Sequence, residues 1–347
     1  MVIRVLFALM LAAICAQPAI AADTQSTIAL RVIDQYLLPR YRALESATAS
    51  QHAAWTAFCK APAREHEATL VETFHKSADA WQAVDHIRTG PVSLFLRAER
   101  VNYWPEMRNA TAKGLSALLT GTDPHDLDPD TFAQGSVAVQ GFPALERLLY
   151  DHIDLAAPRA CAVGEAIALN LATVAKEIVS NWTAADGPRD ALEHGKTVTG
   201  GFTDGAEAAR LLLTDLMTSF QRMLDIKLVG VMGDAAENAK PKAAENWRSA
   251  RSKRNLQLDL ETTQAMIDVF SEGLDPAETA PLSKAMTDTK SAFDALPESI
   301  GEAAADEQER AALDQAVAML KAARDTGRAI LPPKLNIVLG FNALDGD

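Results

Sequence analysis

The sequence is short of three things: histidine, cysteine and aromatic side chains. Seven histidines occur in 347 residues, none opens an H-x-x-E run, and no H-E-x-x-H is present, so the zinc-peptidase helix motif is excluded. No phosphate-binding glycine loop, nucleophile elbow or dinucleotide fingerprint occurs either, which removes the common soluble enzyme classes. After the first residues, no apolar run approaches the ~20 residues that span a bilayer. Net positive charge is missing as well: the formal charge is -13, so the long-range field opposes general binding to nucleic acid or anionic membrane.

What is present begins with an export signal. A basic start at Arg4, an apolar core from Val5 to Ala16 and small residues at Ala19, Ala21 and Ala22 predict a signal peptide over 1–22. The bulky Ile14 ahead of Cys15 argues against a lipoprotein anchor. The expected location is the periplasm, with no transmembrane segment. Two cysteines remain after processing, and an oxidising compartment favours a Cys59–Cys161 disulfide, the alternative being two small buried thiols.

From Ile28 onward, apolar residues recur at three- and four-residue intervals, as in Val32, Ile33, Tyr36, Leu37, Tyr41 and Leu44. This rhythm predicts helices over 26–60, 64–88, 106–120, 143–150, 160–184, 204–232, 252–272, 278–295 and 304–330. No alternation of strand type is found. The turn chemistry from Asp186 to Gly201 marks a domain boundary. The expected fold is therefore all-α, two packed helical bundles, the first over 23–185 and the second over 186–347.

Four segments carry residue types that a plain bundle does not require. Asn102-Tyr103-Trp104-Pro105 precedes Arg108 and Asn109, and reads as a helix start with a core tryptophan. In Gly141 to Tyr150, Pro143 should open a helix and Glu146 should lie in its first turn, favoured by the dipole. In Asn246 to Asn255, Arg248, Arg251 and Arg254 are three apart and share one helix side, with Ser252 and Asn255 adjacent. Arginines in first turns oppose the dipole, so they ask for an acidic partner or ligand. The ending Leu339 to Asp347 is acidic but lacks the EF-hand pattern, and reads as a capped end. Glu72 and His75 form a lone E-x-x-H pair, where bundle metal sites need two such pairs.

In this order and spacing, Cys59, Gly90-Pro91, Tyr103-Trp104-Pro105, Gly141 to Tyr150, Trp247 to Asn255 and Gly340 to Asp347 resemble the imelysin-like family. That family includes insulin-cleaving metallopeptidases and is related to the periplasmic component of bacterial ferrous-iron uptake. The resemblance implies two helical bundles with a functional site between them, holding Trp104, Arg108, Gly141, Pro143, Glu146, Arg248, Arg251, Arg254 and Asn255. It also implies iron or another divalent metal as cofactor or cargo, with Glu146 as the metal-facing carboxylate.

One departure redirects this. The family signature G-x-H-x-x-E keeps Gly141 and Glu146 here, but Pro143 stands at the histidine. Proline has no ligand atom, whereas a catalytic zinc needs about three protein ligands and an open position. The expected role thus moves from cutting to binding: a metal-uptake accessory protein taking a small ligand, metal chelate or anionic saccharide, with uptake proteins as partners. Two alternatives stay open. One is a metallopeptidase that recruits His75 or His86; the other is an interdomain ion-pair network in which the arginines simply meet Glu146 and its neighbours.

Overall fold

The computed structural model describes residues 24–340. The predicted signal peptide and the acidic residues 341–347 lie outside that range. The described residues form helices, with no strand among them, as the apolar spacing requires. None of these helices is long and apolar enough to cross a membrane.

A first long helix covers 25–60 and packs on Arg64–Gln82 and Pro158–Thr183. Its apolar stripe, Ile28 through Trp55 and Phe58, is buried. Near the end of this helix Cys59 is bonded to Cys161, their Cα atoms 5.6 Å apart, so the disulfide ties the first helix to Pro158–Thr183. A second long helix over 205–232 opens the other half of the chain and packs against Gln25–Arg31 and Arg310–Leu335. Ser252–Phe270, Pro276–Asp294 and Arg310–Leu335 complete that half.

Both opening helices are interrupted by a wider turn. In the first, Leu38 N–H reaches back to Ile33 O; in the second, Gly230 N–H reaches Asp225 O. Such i to i+5 turns splay the neighbouring side chains, and they often accompany functional positions. Here they place Tyr36, Arg222 and Lys227 inside the molecule.

Several expected elements differ. The helix expected over 64–88 ends at Gln82, and tight turns follow, closed by Val84 N–H to Trp81 O and Ile87 N–H to Val84 O. The helix expected over 106–120 spans Ala110–Thr120 instead, because Arg108 and Asn109 take left-handed backbone angles that a helix cannot continue. The single helix expected over 304–330 is two, Ile300–Ala305 and Arg310–Leu335, and Asp306 closes the turn between them by accepting from Gln308 and Glu309 N–H.

Candidate functional site

Gly141 sets the floor of the site. A Cβ there would lie 2.1 Å from Val101 O and 2.6 Å from Arg100 O, so only glycine lets this chain press on the turn before it. The helix Phe142–Tyr150 starts from that contact, with Pro143 in its first turn. Glu146 then falls in the second turn, not the first, so the dipole does not account for it. The partner that does is Ser249, whose N–H and Oγ both donate to Glu146 Oε1 at 3.1 and 2.5 Å. Burial pushes the Glu146 carboxyl above its usual range, opposed by these Ser249 bonds, by Asn246 and by the Arg248 charge.

The segment holding Ser249 is not the continuous helix its arginine spacing suggested. Trp247–Ser249 make a single tight turn, Asn246 and Ala250 are left-handed, and the helix begins at Ser252. The three arginines are thereby split. Arg248 donates from Nε to Asp151 Oδ1 at 2.8 Å. Arg251, only 1% exposed, donates to Asp79 Oδ1 at 2.5 Å, and Arg254 pairs with the same carboxylate. As for the alternative in which the arginines meet Glu146 and neighbouring carboxylates, the ion pairs go to other acids, Asp79 and Asp151, while Glu146 is bonded by Ser249. For Asp79, burial raises the carboxyl, but the bonds from Arg254 and Arg251 outweigh it and hold it low.

A cleft of about 330 Å³ opens beside these groups. One wall is Asn102, Tyr103, Trp104, Glu106 and Asn109 with Pro143, Glu146 and Arg147; the other is Lys242 to Arg248. The cleft thus brings together Trp104, Pro143, Glu146 and Arg248 from the expected set. Arg108 is exposed and does not line it. Arg251 and Arg254 face Asp79 instead, and Asn255 lies beneath the cleft, donating to Glu245 Oε2 at 2.9 Å. Trp104 is a half-buried wall of the cleft, not a core tryptophan.

The carboxylates of the cleft are already engaged. Glu106 accepts from Arg147 at 2.9 Å and from Thr111 N–H at 3.0 Å. Glu245 accepts from Asn102 at 3.1 Å, and lies 2.9 Å from Lys227 Nζ. That lysine anchors a buried ionic core between the halves: Asp259 at 2.6 Å, Asp85 at 3.5 Å and Gln82 Oε1 at 2.9 Å converge on it, and Arg222 reaches Asp85 at 2.7 Å. Burial lifts the Asp259 carboxyl to about 7 against the pull of Lys227. Asp215, nearby in the interior, is also lifted by burial to about 7, despite bonds from Thr89 and the Arg88 and Thr89 backbone.

Sequence reasoning missed Glu106, Arg147, Lys242, Glu245 and Asn246 as wall residues. Lys227 and Arg222 had a visible signal, since both are charges on the apolar face of a helix. The others had none beyond their proximity to the motifs.

Residues 37–326 match the Peptidase M75 (imelysin) family model. The chain belongs to the imelysin family. Its fold is similar to that of an imelysin-like protein from Psychrobacter arcticum, at 23% identity and a TM-score of 0.75, covering 93% of this chain and 98% of that one. It is also similar to a protein described as an iron-regulated protein A precursor from Parabacteroides distasonis, at 14% identity and a TM-score of 0.72, covering 90% and 95%. No match is found among curated proteins.

The residues that line the cleft do not fit the metal centre of a peptidase. Pro143 offers no donor, no histidine lines the cleft, and the Glu146 oxygen Oε1 is saturated by Ser249. The two histidines that could substitute are committed elsewhere. His75 Nδ1 lies 2.9 Å from Arg251 Nη1, which can only donate, so neutral His75 carries its proton on Nε2, 2.9 Å from Tyr150 Oη. Burial and the Arg251 charge lower its pKa. His86 is enclosed beside Tyr36 at 3.3 Å, and burial brings it down to about 3. Glu72, the other half of the lone E-x-x-H pair, bonds Lys76 on the surface at 2.6 Å.

Proposed function

We propose that this imelysin-family chain is an exported binding or accessory protein of iron or other metal acquisition, acting in the periplasm through the cleft between its halves, and that it is not a peptidase. The observation that carries the reading is the cleft itself. It has a half-buried aromatic wall and a cationic rim, but Pro143 at the signature histidine and carboxylates already bonded to the protein. Such a surface suits a preassembled small ligand, a metal chelate or an anionic saccharide, better than a bare ion. The Parabacteroides neighbour is described as iron-regulated and as a precursor, which agrees with export and with an iron-linked setting.

The domain division at 186–201 is part of this proposal: residues 23–185 supply Asn102 to Arg147, and 186–347 supply Lys242 to Arg248. The arginines have their own role within it. Arg251 and Arg254 on Asp79, and Arg248 on Asp151, tie the two halves of the chain together. Ties and cleft are compatible, because the bonds made by Arg251 and Arg254 lie outside the cleft.

Calorimetric titration of the mature chain with ferric citrate, ferric catecholate and free iron or copper salts tests the reading. The expected result is saturable heat with a chelate, reduced at least about tenfold in affinity by Trp104→Ala. Heat that Trp104→Ala leaves unchanged would place binding elsewhere, and no heat from any chelate would refute the chelate reading.

A further inference from the structure

We infer that the cleft takes an anionic aromatic ligand, an aryl carboxylate or catecholate, either free or as the shell of a ferric chelate. The inference rests on the reading of the cleft as a ligand site, and it names the chemistry of what enters.

Charge is the first argument. The protein as a whole is strongly acidic, at -13, yet the positive groups at the mouth of the cleft are not fully used. Lys242 is exposed and has no carboxylate within ion-pair reach among the described residues; its Nζ lies 5.6 Å from the centre of the Trp247 ring. Arg248 lies over the same ring at 4.3 Å and binds Asp151 through Nε, which leaves its Nη groups for an acceptor at the rim. One indole thus contacts two cations, each attracted by the negative face of the ring. The unpaired Lys242 ammonium and the Nη groups of Arg248 are both donors suited to the oxygens of an anion.

Ring chemistry is the second. Facing this rim across the cleft are Tyr103 and Trp104, both half-buried and thus able to bury a further flat surface. Offset or edge-on packing of an aryl ring there adds to the area it removes from water. The volume, about 330 Å³, is at the small end of ligand sites and suits a ring with a short polar group better than a polymer.

The third argument concerns what the cleft would refuse. A bare cation would have to displace Ser249, Arg147 or Lys227 from the carboxylates that they already hold. A purely hydroxylic ligand would leave Lys242 without a counter-charge.

The test is calorimetry on the mature chain with four probes: 2,3-dihydroxybenzoate, its ferric complex, ferric citrate and glucuronate. At least one aryl probe should bind, and Lys242→Glu, an exposed change that leaves the melting temperature in place, should weaken that binding at least about tenfold. Binding of the ferric aryl complex with silence from the free acid supports the inference and keeps iron in the function. Equal binding of the free acid also supports it, but removes the iron link proposed above. Ferric citrate or glucuronate binding while the aryl probes do not overturns the inference and leaves the ligand-site reading standing. Aryl binding indifferent to Lys242→Glu, or no heat from any probe, overturns it as well.

Discussion

Replacing Lys227 by methionine removes the ammonium on which Asp85, Asp259 and Glu245 converge, within 3.5, 2.6 and 2.9 Å respectively. The lysine and its partners are almost wholly inaccessible, so water cannot take its place. Breaking such a buried pair costs about 3–5 kcal/mol, because the partners keep an uncompensated charge. The folded state can relieve that charge only by taking up protons. Asp259 already sits at about 7, and without Lys227 it rises further. A carboxyl whose folded pKa lies above its unfolded one contributes stability that is complete below the unfolded value and is lost as pH rises through the folded one. The deficit of Lys227→Met is thus smallest at pH 5 and grows toward pH 8. Each additional proton held by the fold adds about 1.4 kcal/mol per pH unit. Urea unfolding of both proteins at pH 5, 6, 7 and 8 reads this directly. A deficit below about 1 kcal/mol, or one that does not change with pH, would refute the argument that this ionic core joins the halves.

Other perturbations follow from the same geometry. Gly141→Ala should cost at least about 2 kcal/mol, since the new methyl meets the backbone of Val101, which thermal unfolding will show. Glu146→Gln should leave the Ser249 bonds in place and be no less stable than the parent at pH 8. Burial raises the Glu146 pKa, so the parent loses stability as pH rises through it, a loss the amide cannot share; melting temperatures at pH 5 and pH 8 compare the two. His75 has the opposite sign: its folded pKa is lowered, so its stabilisation is present above the unfolded value and is lost as pH falls. His75→Gln should therefore flatten the decline in melting temperature between pH 7 and pH 4. Reducing the Cys59–Cys161 bond, which joins residues 102 apart, should cost about 4–5 kcal/mol on the loop-entropy argument, seen as a lower urea midpoint with reductant.

The helices were legible because their apolar residues repeat every three or four positions, and the buried stripe from Ile28 to Phe58 follows that repeat. The disulfide was legible from the compartment and the cysteine count. The left-handed residues Arg108, Asn109 and Ala250 were not, since none is a glycine and nothing nearby announces a break. Those three positions decided the site. They start the helix after Arg108 at Ala110 and set Arg248 apart from the helix Ser252–Phe270 that carries Arg254. The ionic core was hidden for a different reason: Asp85, Lys227 and Asp259 are far apart in sequence, and their convergence exists only once the two halves pack. Glu146 was found from its motif, but its partner Ser249 was not, because a serine in a tight turn carries no pattern.

The central claim is that Pro143 and the engaged Glu146 leave a cleft that binds and does not cut. Cleavage of an unfolded protein substrate by the zinc-loaded chain, compared with Glu146→Gln and with chelator, tests it most directly. The account predicts no cleavage above the protein-free control under any condition. Chelator-sensitive cleavage by the parent that disappears in Glu146→Gln would contradict it.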